Sequence, residues 1–203
     1  NTEVIVPANT AIPTISAIVN SGAIPKLVDV NHDSLIDINL IEKSISKKTR
    51  AIIPVHLYGK PCEMDKLQKL SKKYNIHLIE DCAQAQGAKF KNKVVGTFGS
   101  LGCFSFYTTK ILGGYGDGGF ILTNNSKLYN KIKKIRFYGI DTLEKKNKFF
   151  NKYYANINGV NSRLDEINSA ILNFKLTKLN SFINKRRKIA NIYDHELRNT
   201  TLK

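Results

Sequence analysis

AIIPVHLYGKPCEMDKLQKLSKKYNIHLIED, residues 51–81, reads as a strand, a helix and a second strand. Ala51-Ile52-Ile53-Pro54-Val55 is almost wholly apolar, with none of the alternation that one solvated face would produce. Residues 64–74 form a basic amphipathic helix, and Ile76-His77-Leu78-Ile79-Glu80-Asp81 is the next strand. Strands that are apolar on both faces and separated by helices predict a largely parallel sheet with a helical layer on each side.

The alternation continues outward from this unit. Upstream, Glu3-Val4-Ile5-Val6-Pro7 is a short apolar strand, residues 12–20 read as a helix ending near Gly22, and residues 24–30 as a strand with Pro25 near its start. Asp37 is the expected N-cap of a helix that places Ile38, Ile41 and Ile45 on one face. Downstream, residues 102–107 run as a strand into Lys110, Phe120-Ile121-Leu122-Thr123 is another strand, and residues 126–138 are a helix. Residues 141–154 are polar, lysine-rich and aperiodic, which predicts a mobile loop. Residues 165–193 keep helical spacing, as one long helix or two consecutive ones. With no internal repeat and no boundary, the expectation is one α/β domain over residues 1–203.

The chain has 203 residues, 42% of them hydrophobic, enough for a substantial core. No apolar run reaches the roughly 20 residues that span a bilayer, and no basic segment followed by an apolar one opens the chain as a signal peptide would. Three cysteines (Cys62, Cys82 and Cys103) form no CxxC pair and leave an odd count. This predicts free thiols in a reducing compartment, the cytoplasm. The net charge of +16 raises nucleic acid as a partner. The lysines are dispersed, however, as in Lys43-Ser44-Ile45-Ser46-Lys47-Lys48, and attraction of a phosphorylated cofactor and an anionic substrate accounts for the charge as well.

The chemistry concentrates around Lys110. A strand runs into this one lysine, and glycines follow at once in Gly113-Gly114-Tyr115-Gly116-Asp117-Gly118-Gly119. A lysine at a rigid strand end beside a glycine-lined floor is where an imine-forming amine would be held. Asp81 ends another strand and is followed by the small Ala83 and Ala85, which leave room for a flat ring. Pyridoxal phosphate needs both groups: a lysine for its aldehyde, and a carboxylate that keeps its pyridine nitrogen protonated. In an open α/β sheet, ligands sit outside the carboxyl ends of the strands, where Asp81, Lys110 and the turn at Tyr58-Gly59 all fall. Ser105 lies on the strand before Lys110 with a hydroxyl suited to a phosphate oxygen.

Competing motifs fail on context. Gly114-x-Gly116-x-x-Gly119 matches a dinucleotide fingerprint, but a strand follows it where the fingerprint needs a helix. His32, His77 and His195 have no metal-ligand spacing with one another or with the cysteines. His56, at an apolar strand end, either faces the site or is structural. No serine sits in a nucleophile elbow.

Several stretches, in order and at matching spacing, resemble the DegT/DnrJ family of PLP-dependent sugar aminotransferases. They are Pro7-Ala8-Asn9-Thr10, Ile53-Pro54-Val55-His56-Leu57-Tyr58-Gly59, Glu80-Asp81-Cys82-Ala83-Gln84-Ala85, Ser105-Phe106-Tyr107-Thr108-Thr109-Lys110, Gly116-Asp117-Gly118-Gly119, and Gly159-Val160-Asn161-Ser162-Arg163-Leu164-Asp165-Glu166. The resemblance implies an aspartate-aminotransferase-type fold and a homodimer with sites at the subunit interface. It implies that Lys110 is the Schiff-base lysine and proton carrier, that Asp81 pairs with the pyridine nitrogen, that Gln84 reaches the phenolic oxygen and that Ser105 holds the phosphate. It further implies that Asn161 and Arg163 reach the phosphate of the neighbouring subunit's cofactor. The implied substrates are L-glutamate and a nucleotide-linked keto-sugar. Gln84 resembles members that aminate C3 of a dTDP-3-keto-6-deoxyhexose, for surface polysaccharide. A UDP-4-keto-sugar aminotransferase and a non-catalytic remnant of the fold are the other readings; Lys110 speaks against a sugar dehydratase, which carries histidine there.

The chain also departs from the family. Ala11 stands where members usually carry an aromatic residue that stacks on the cofactor. The family's N-terminal helical arm and glycine-containing phosphate loop would precede Glu3, and its small C-terminal domain would follow Lys203. The expected content is thus the cofactor-binding large domain.

Overall fold

In the computed structural model, which describes residues 2–141, 154–198 and 200, strands and helices alternate through the first half of the chain. The first elements are β1 (Glu3–Pro7), α1 (Ile12–Asn20), β2 (Ile24–Val28), α2 (Ile38–Ser44), β3 (Thr49–Ile52), α3 (Met64–Tyr74) and β4 (His77–Asp81). A small hairpin, β5 (Lys89–Phe90) and β6 (Lys93–Val94), leads to β7 (Leu101–Ser105) and β8 (Gly119–Leu122). Helices α4 (Ser126–Ile135), α5 (Glu166–Leu176) and α6 (Leu179–Leu197) follow. The main sheet has the order β2-β1-β3-β4-β7-β8, and only the β7–β8 pair is antiparallel. This is the largely parallel α/β sheet that the sequence predicts. The strand after Gly119 is β8, so the dinucleotide fingerprint lacks its helix here too.

β1 has β2 on one side and β3 on the other, so successive crossovers leave it in opposite directions. Such a switch point opens a crevice at the carboxyl ends of the strands. Beneath it, Ile5, Ile52 and Leu78 from three neighbouring strands pack with Ile41 of α2 and with Met64 and Leu67 of α3, all buried. Each fully buried side chain of this size stabilises the fold by roughly 1.5–3 kcal/mol. The termini of α3 show how local chemistry sets an element. Asp65 lies in its first turn, Lys72 and Lys73 in its last, and Asn75 closes it in the left-handed conformation (φ 51°).

Several boundaries differ from the sequence reading. β3 ends at Ile52, not Val55, because Pro54 has no N–H to give the ladder; its carbonyl still accepts from Asp81 N–H at 2.9 Å. Residues 165–193 form two helices, broken at Thr177-Lys178, and α6 continues to Leu197. The β5–β6 hairpin has no sequence signal of the usual kind; its turn is Lys91-Asn92, both at positive φ (48° and 66°). Of the loop expected over residues 141–154, residues 142–153 lie outside the described residues.

Cys62 and Cys82 are buried, Cys103 is half-buried, and all are free. Burial, with Glu80 nearby, pushes the Cys62 thiol up to about 12; burial, with Asp81 nearby, pushes Cys103 up to about 11. Cys82 is also raised, by burial and then Glu80. At pH 8 a thiol of pKa 11 is ~0.1% thiolate. We therefore expect native protein to react with a disulfide reagent at least about 100-fold more slowly than urea-unfolded protein. Rapid labelling of the native chain, followed by absorbance, would contradict this.

Candidate active site

Two adjacent residues at the end of β4 face opposite ways, as strand geometry requires. Glu80 points into the protein and is fully buried. Its Oε1 accepts from the N–H groups of Phe98 and Gly99, both at 2.7 Å, and its Oε2 from Gly96 N–H at 2.6 Å. His56 Nε2 lies 3.2 Å from the same Oε2, while its Nδ1 accepts from Cys62 N–H at 3.0 Å. That second bond places the ring proton on Nε2, so His56 donates to Glu80. His56 is therefore a buried structural residue and does not face the site. Burial pushes the Glu80 carboxyl up, but the bonds from His56, Gly96 and Gly99 outweigh it and hold its pKa below the ordinary value. Ligand-type atoms of His56, Glu80 and Cys82 lie within 4.8 Å of one another. Glu80 and His56 already use these atoms in protein hydrogen bonds, and burial raises the Cys82 thiol, so the cluster serves as a staple between the loop after β3, β4 and the loop before β7.

Asp81 points the other way, towards α1. Its Oδ2 accepts from Thr14 Oγ1 at 2.7 Å, and Thr10 Oγ1 donates to Thr14 at 3.1 Å. Its Oδ1 accepts from Ala83 N–H at 3.0 Å. Both oxygens are fixed, and each keeps a lone pair for a further donor. Ala11, at the N-cap of α1, is exposed beside this arrangement. Gln84 follows on the loop after β4. Its Oε1 accepts from Tyr58 N–H at 2.9 Å, with Tyr58 in the left-handed region (φ 56°). Its Nε2 has no partner among the described residues and is left as a donor.

β7 pairs with β4, Cys103 opposite Asp81, so the segment after β7 shares this end of the sheet. Ser105 Oγ accepts from Tyr107 N–H at 3.1 Å, which leaves its own proton to donate outward. Lys110 N–H donates to Tyr107 O at 2.9 Å and closes a tight turn; its amine makes no hydrogen bond or ion pair among the described residues. Lys110, Gln84 and Tyr58 line one cleft of about 570 Å³, closed on its far side by α6. Neither Asp81 nor Ser105 lines it. The larger cleft, about 760 Å³, lies against Thr49, Asn75 and Ile76 at the opposite, amino end of the strands.

The glycines after Lys110 work differently from the floor that the sequence suggests, since none of them lines the cleft. They seat α5. A Cβ on Gly114 would come within 2.2 Å of Asn168 Oδ1, which itself accepts from Tyr115 N–H at 3.1 Å. Lys175 of α5 donates to the carbonyl of Gly113. Asn161 and Arg163 are not in the cleft either. Both are exposed, on a segment tied to the end of α4 by Ser162 N–H to Arg136 O (2.9 Å), with the Arg163 guanidinium 5.9 Å from the Phe137 ring centre.

Sequence reasoning misses Thr14, Glu80 and the cleft face of α6. Thr14 and Asp81 are 67 positions apart, and no spacing rule connects them. Glu80 carries a signal in hindsight: a carboxylate inside an apolar strand must be paired or removed.

The donor set fits pyridoxal phosphate. A free amine (Lys110), an amide N–H (Gln84), a hydroxyl proton (Ser105) and a carboxylate (Asp81) are the groups its aldehyde, phenolic oxygen, phosphate and pyridine nitrogen call for. The sheet and helices are those of the PLP-dependent aminotransferases. Residues 1–203 match the DegT/DnrJ/EryC1/StrS aminotransferase family, and the chain belongs to that family, which is PLP-dependent.

Two curated relatives and one solved structure show the range of likeness. A dTDP-3-amino-3,4,6-trideoxy-alpha-D-glucose transaminase of Micromonospora megalomicea subsp. nigra is 41% identical over 192 residues, 94% of this chain and 49% of that protein. A dTDP-3-amino-3,6-dideoxy-alpha-D-galactopyranose transaminase of Aneurinibacillus thermoaerophilus is 45% identical over 199 residues, 97% and 52% of the two chains. The crystal structure of S. venezuelae DesV in complex with a ketimine intermediate superposes with a TM-score of 0.89 at 38% identity, covering 100% of this chain and 52% of that one. The chain thus spans about half the length of the relatives it matches. No helix among the described residues is long and apolar enough to cross a membrane.

Proposed function

We propose that this chain is the cofactor-binding core of a PLP-dependent aminotransferase. It moves an amino group from L-glutamate to the ketone of a nucleotide-linked keto-sugar, with a dTDP-3-keto-6-deoxyhexose as the favoured substrate and surface polysaccharide as the destination. The carrying observation is the Lys110 amine, without a partner among the described residues, in a cleft with the donor Gln84, on the turn that follows β7, the strand paired with Asp81's own. The dTDP and C3 assignment draws on the names of the two relatives above.

The cofactor, when bound, supplies an aldehyde that carries nitrogen and a ring that accepts electrons. Lys110 Nζ takes the proton from the α-carbon of the donor and returns one to the sugar carbon that gains nitrogen. Asp81, braced by Thr14 and Ala83, accepts from the ring N–H and holds that proton in place. Gln84 Nε2 donates to the phenolic oxygen, its amide oriented by Tyr58 N–H. Ser105 donates its hydroxyl proton to phosphate.

A homodimer completes the site. Asn161 and Arg163 are exposed and stand outside the cleft of their own subunit, which suits a reach to a neighbour's phosphate. On α5, Ile167 and Phe174 are 75% and 68% exposed, an apolar surface for that neighbour. The free, buried thiols suit the cytoplasm.

The test is a half-reaction. With PLP bound, L-glutamate is expected to bleach the visible cofactor band and release one equivalent of 2-oxoglutarate per site, measured with a coupled dehydrogenase. A band that glutamate leaves untouched would end the aminotransferase reading, and the absence of any band would leave a non-catalytic remnant.

A further inference from the structure

α6 turns one stripe towards the cleft that holds Lys110. Ile183, Arg186, Arg187 and Ala190 line it at the i, i+3, i+4, i+7 spacing of a single helix face. Ile183 is seated on Gly87, where a Cβ would meet its Cδ1 at 2.7 Å, with Leu179 beside it. That contact fixes the helix against the cleft wall. A stripe that only closed the wall would be apolar along its length, yet both central positions are arginines.

Neither guanidinium has a hydrogen-bond or ion-pair partner among the described residues, and no aspartate or glutamate lines the cleft. Lys110 adds a third uncompensated cation to the same space. Like charges gathered in one cleft repel one another and focus a positive field outward; an anion relieves both. Guanidinium groups present paired N–H donors that match phosphate oxygens two at a time. Two such forks at successive positions suit two linked phosphates better than one carboxylate. Ser105, the candidate for the cofactor's phosphate, lies outside this lining, so the arginines address a different anion. The cleft volume of about 570 Å³ is in the range of small-molecule sites.

We propose that Arg186 and Arg187 form an oxyanion subsite that takes the diphosphate of the nucleotide-linked substrate. This rests on the nucleotide-sugar reading above, and its test is independent of amino transfer. The unliganded chain is titrated calorimetrically with dTDP at low and high ionic strength, for wild type, R186Q/R187Q and the control K188Q, whose lysine lies outside the cleft lining. The double variant is expected to bind dTDP at least about tenfold more weakly, with a shallower salt dependence. K188Q should match wild type, inorganic pyrophosphate should compete, and PLP affinity and the melting midpoint should stay unchanged. Equal dTDP affinity in all three proteins, or no binding by wild type, overturns the subsite. A loss of PLP affinity in place of dTDP affinity also overturns it and assigns the arginines to the cofactor's phosphate. If dTDP binding depends on the arginines while glutamate chemistry is absent, the subsite stands and the aminotransferase reading falls.

Discussion

Glu80→Ala is expected to lower the unfolding free energy by on the order of 4 kcal/mol. The fully buried carboxylate satisfies the backbone N–H groups of Gly96, Phe98 and Gly99 and takes the proton-bearing nitrogen of His56. Alanine strips all four donors at once inside the protein. Domains of this size are stable by only about 5–15 kcal/mol, so the loss is a large fraction of the total. Urea unfolding followed by circular dichroism measures it, and a loss below about 1 kcal/mol would show that the staple is dispensable. Glu80→Gln, which keeps one acceptor oxygen, covers the case in which the alanine variant does not fold.

The same carboxylate gives the protein an acid limb. The folded-state pKa of Glu80 lies below its unfolded value, because hydrogen bonds outweigh burial. Its contribution is therefore complete above the unfolded carboxylate pKa of about 4.3 and is lost as pH falls through the depressed folded value. Melting temperatures of wild type should drop in this acid window, and Glu80→Gln should flatten that drop while costing stability at neutral pH.

Lys110→Ala is expected to abolish covalent attachment of PLP and to reduce amino transfer by at least about 10³-fold, with the fold intact. The Lys110 amine has no partner among the described residues and sits in a turn whose hydrogen bond comes from its backbone, so the side chain carries little structure. Unchanged circular dichroism and melting temperature, together with loss of the visible cofactor band, separate this from unfolding. Residual activity within about tenfold of wild type would assign the proton carrier to another residue.

How legible all this is in the sequence depends on the range of the forces. The strand–helix–strand pattern around residues 51–81 and the N-cap at Asp37 are local, and the structure has both. Lys110, Asp81 and the turn at Tyr58-Gly59 are legible as candidates because parallel topology sends every strand's carboxyl end to one edge, whatever the intervening loops do, whereas Gln84 is legible only through the family resemblance. Long-range pairings leave no such trace. Thr14 reaches Asp81, Tyr58 orients Gln84, and the arginines of α6 return to the cleft, through tertiary packing alone. The glycines after Lys110 mislead for a related reason. A sequence shows that close approach is needed, but not whether a ligand or a helix makes it, and at Gly114 it is Asn168 of α5 that does. Glu80 and His56 sit inside quoted motifs, yet strand alternation turns Glu80 inward while Asp81 faces the other side, and His56, on the loop after β3, is drawn in by its bond to Glu80.

The most direct measurement is where PLP becomes fixed on the chain. The protein is incubated with PLP, reduced with borohydride, digested and mapped by mass spectrometry. The pyridoxyl mass is expected on Lys110 alone, although the chain holds 32 lysines and arginines, and Lys110→Ala should remove it without shifting it elsewhere. Modification scattered over exposed lysines, or missing from Lys110, would contradict the assignment of this cleft as the active site.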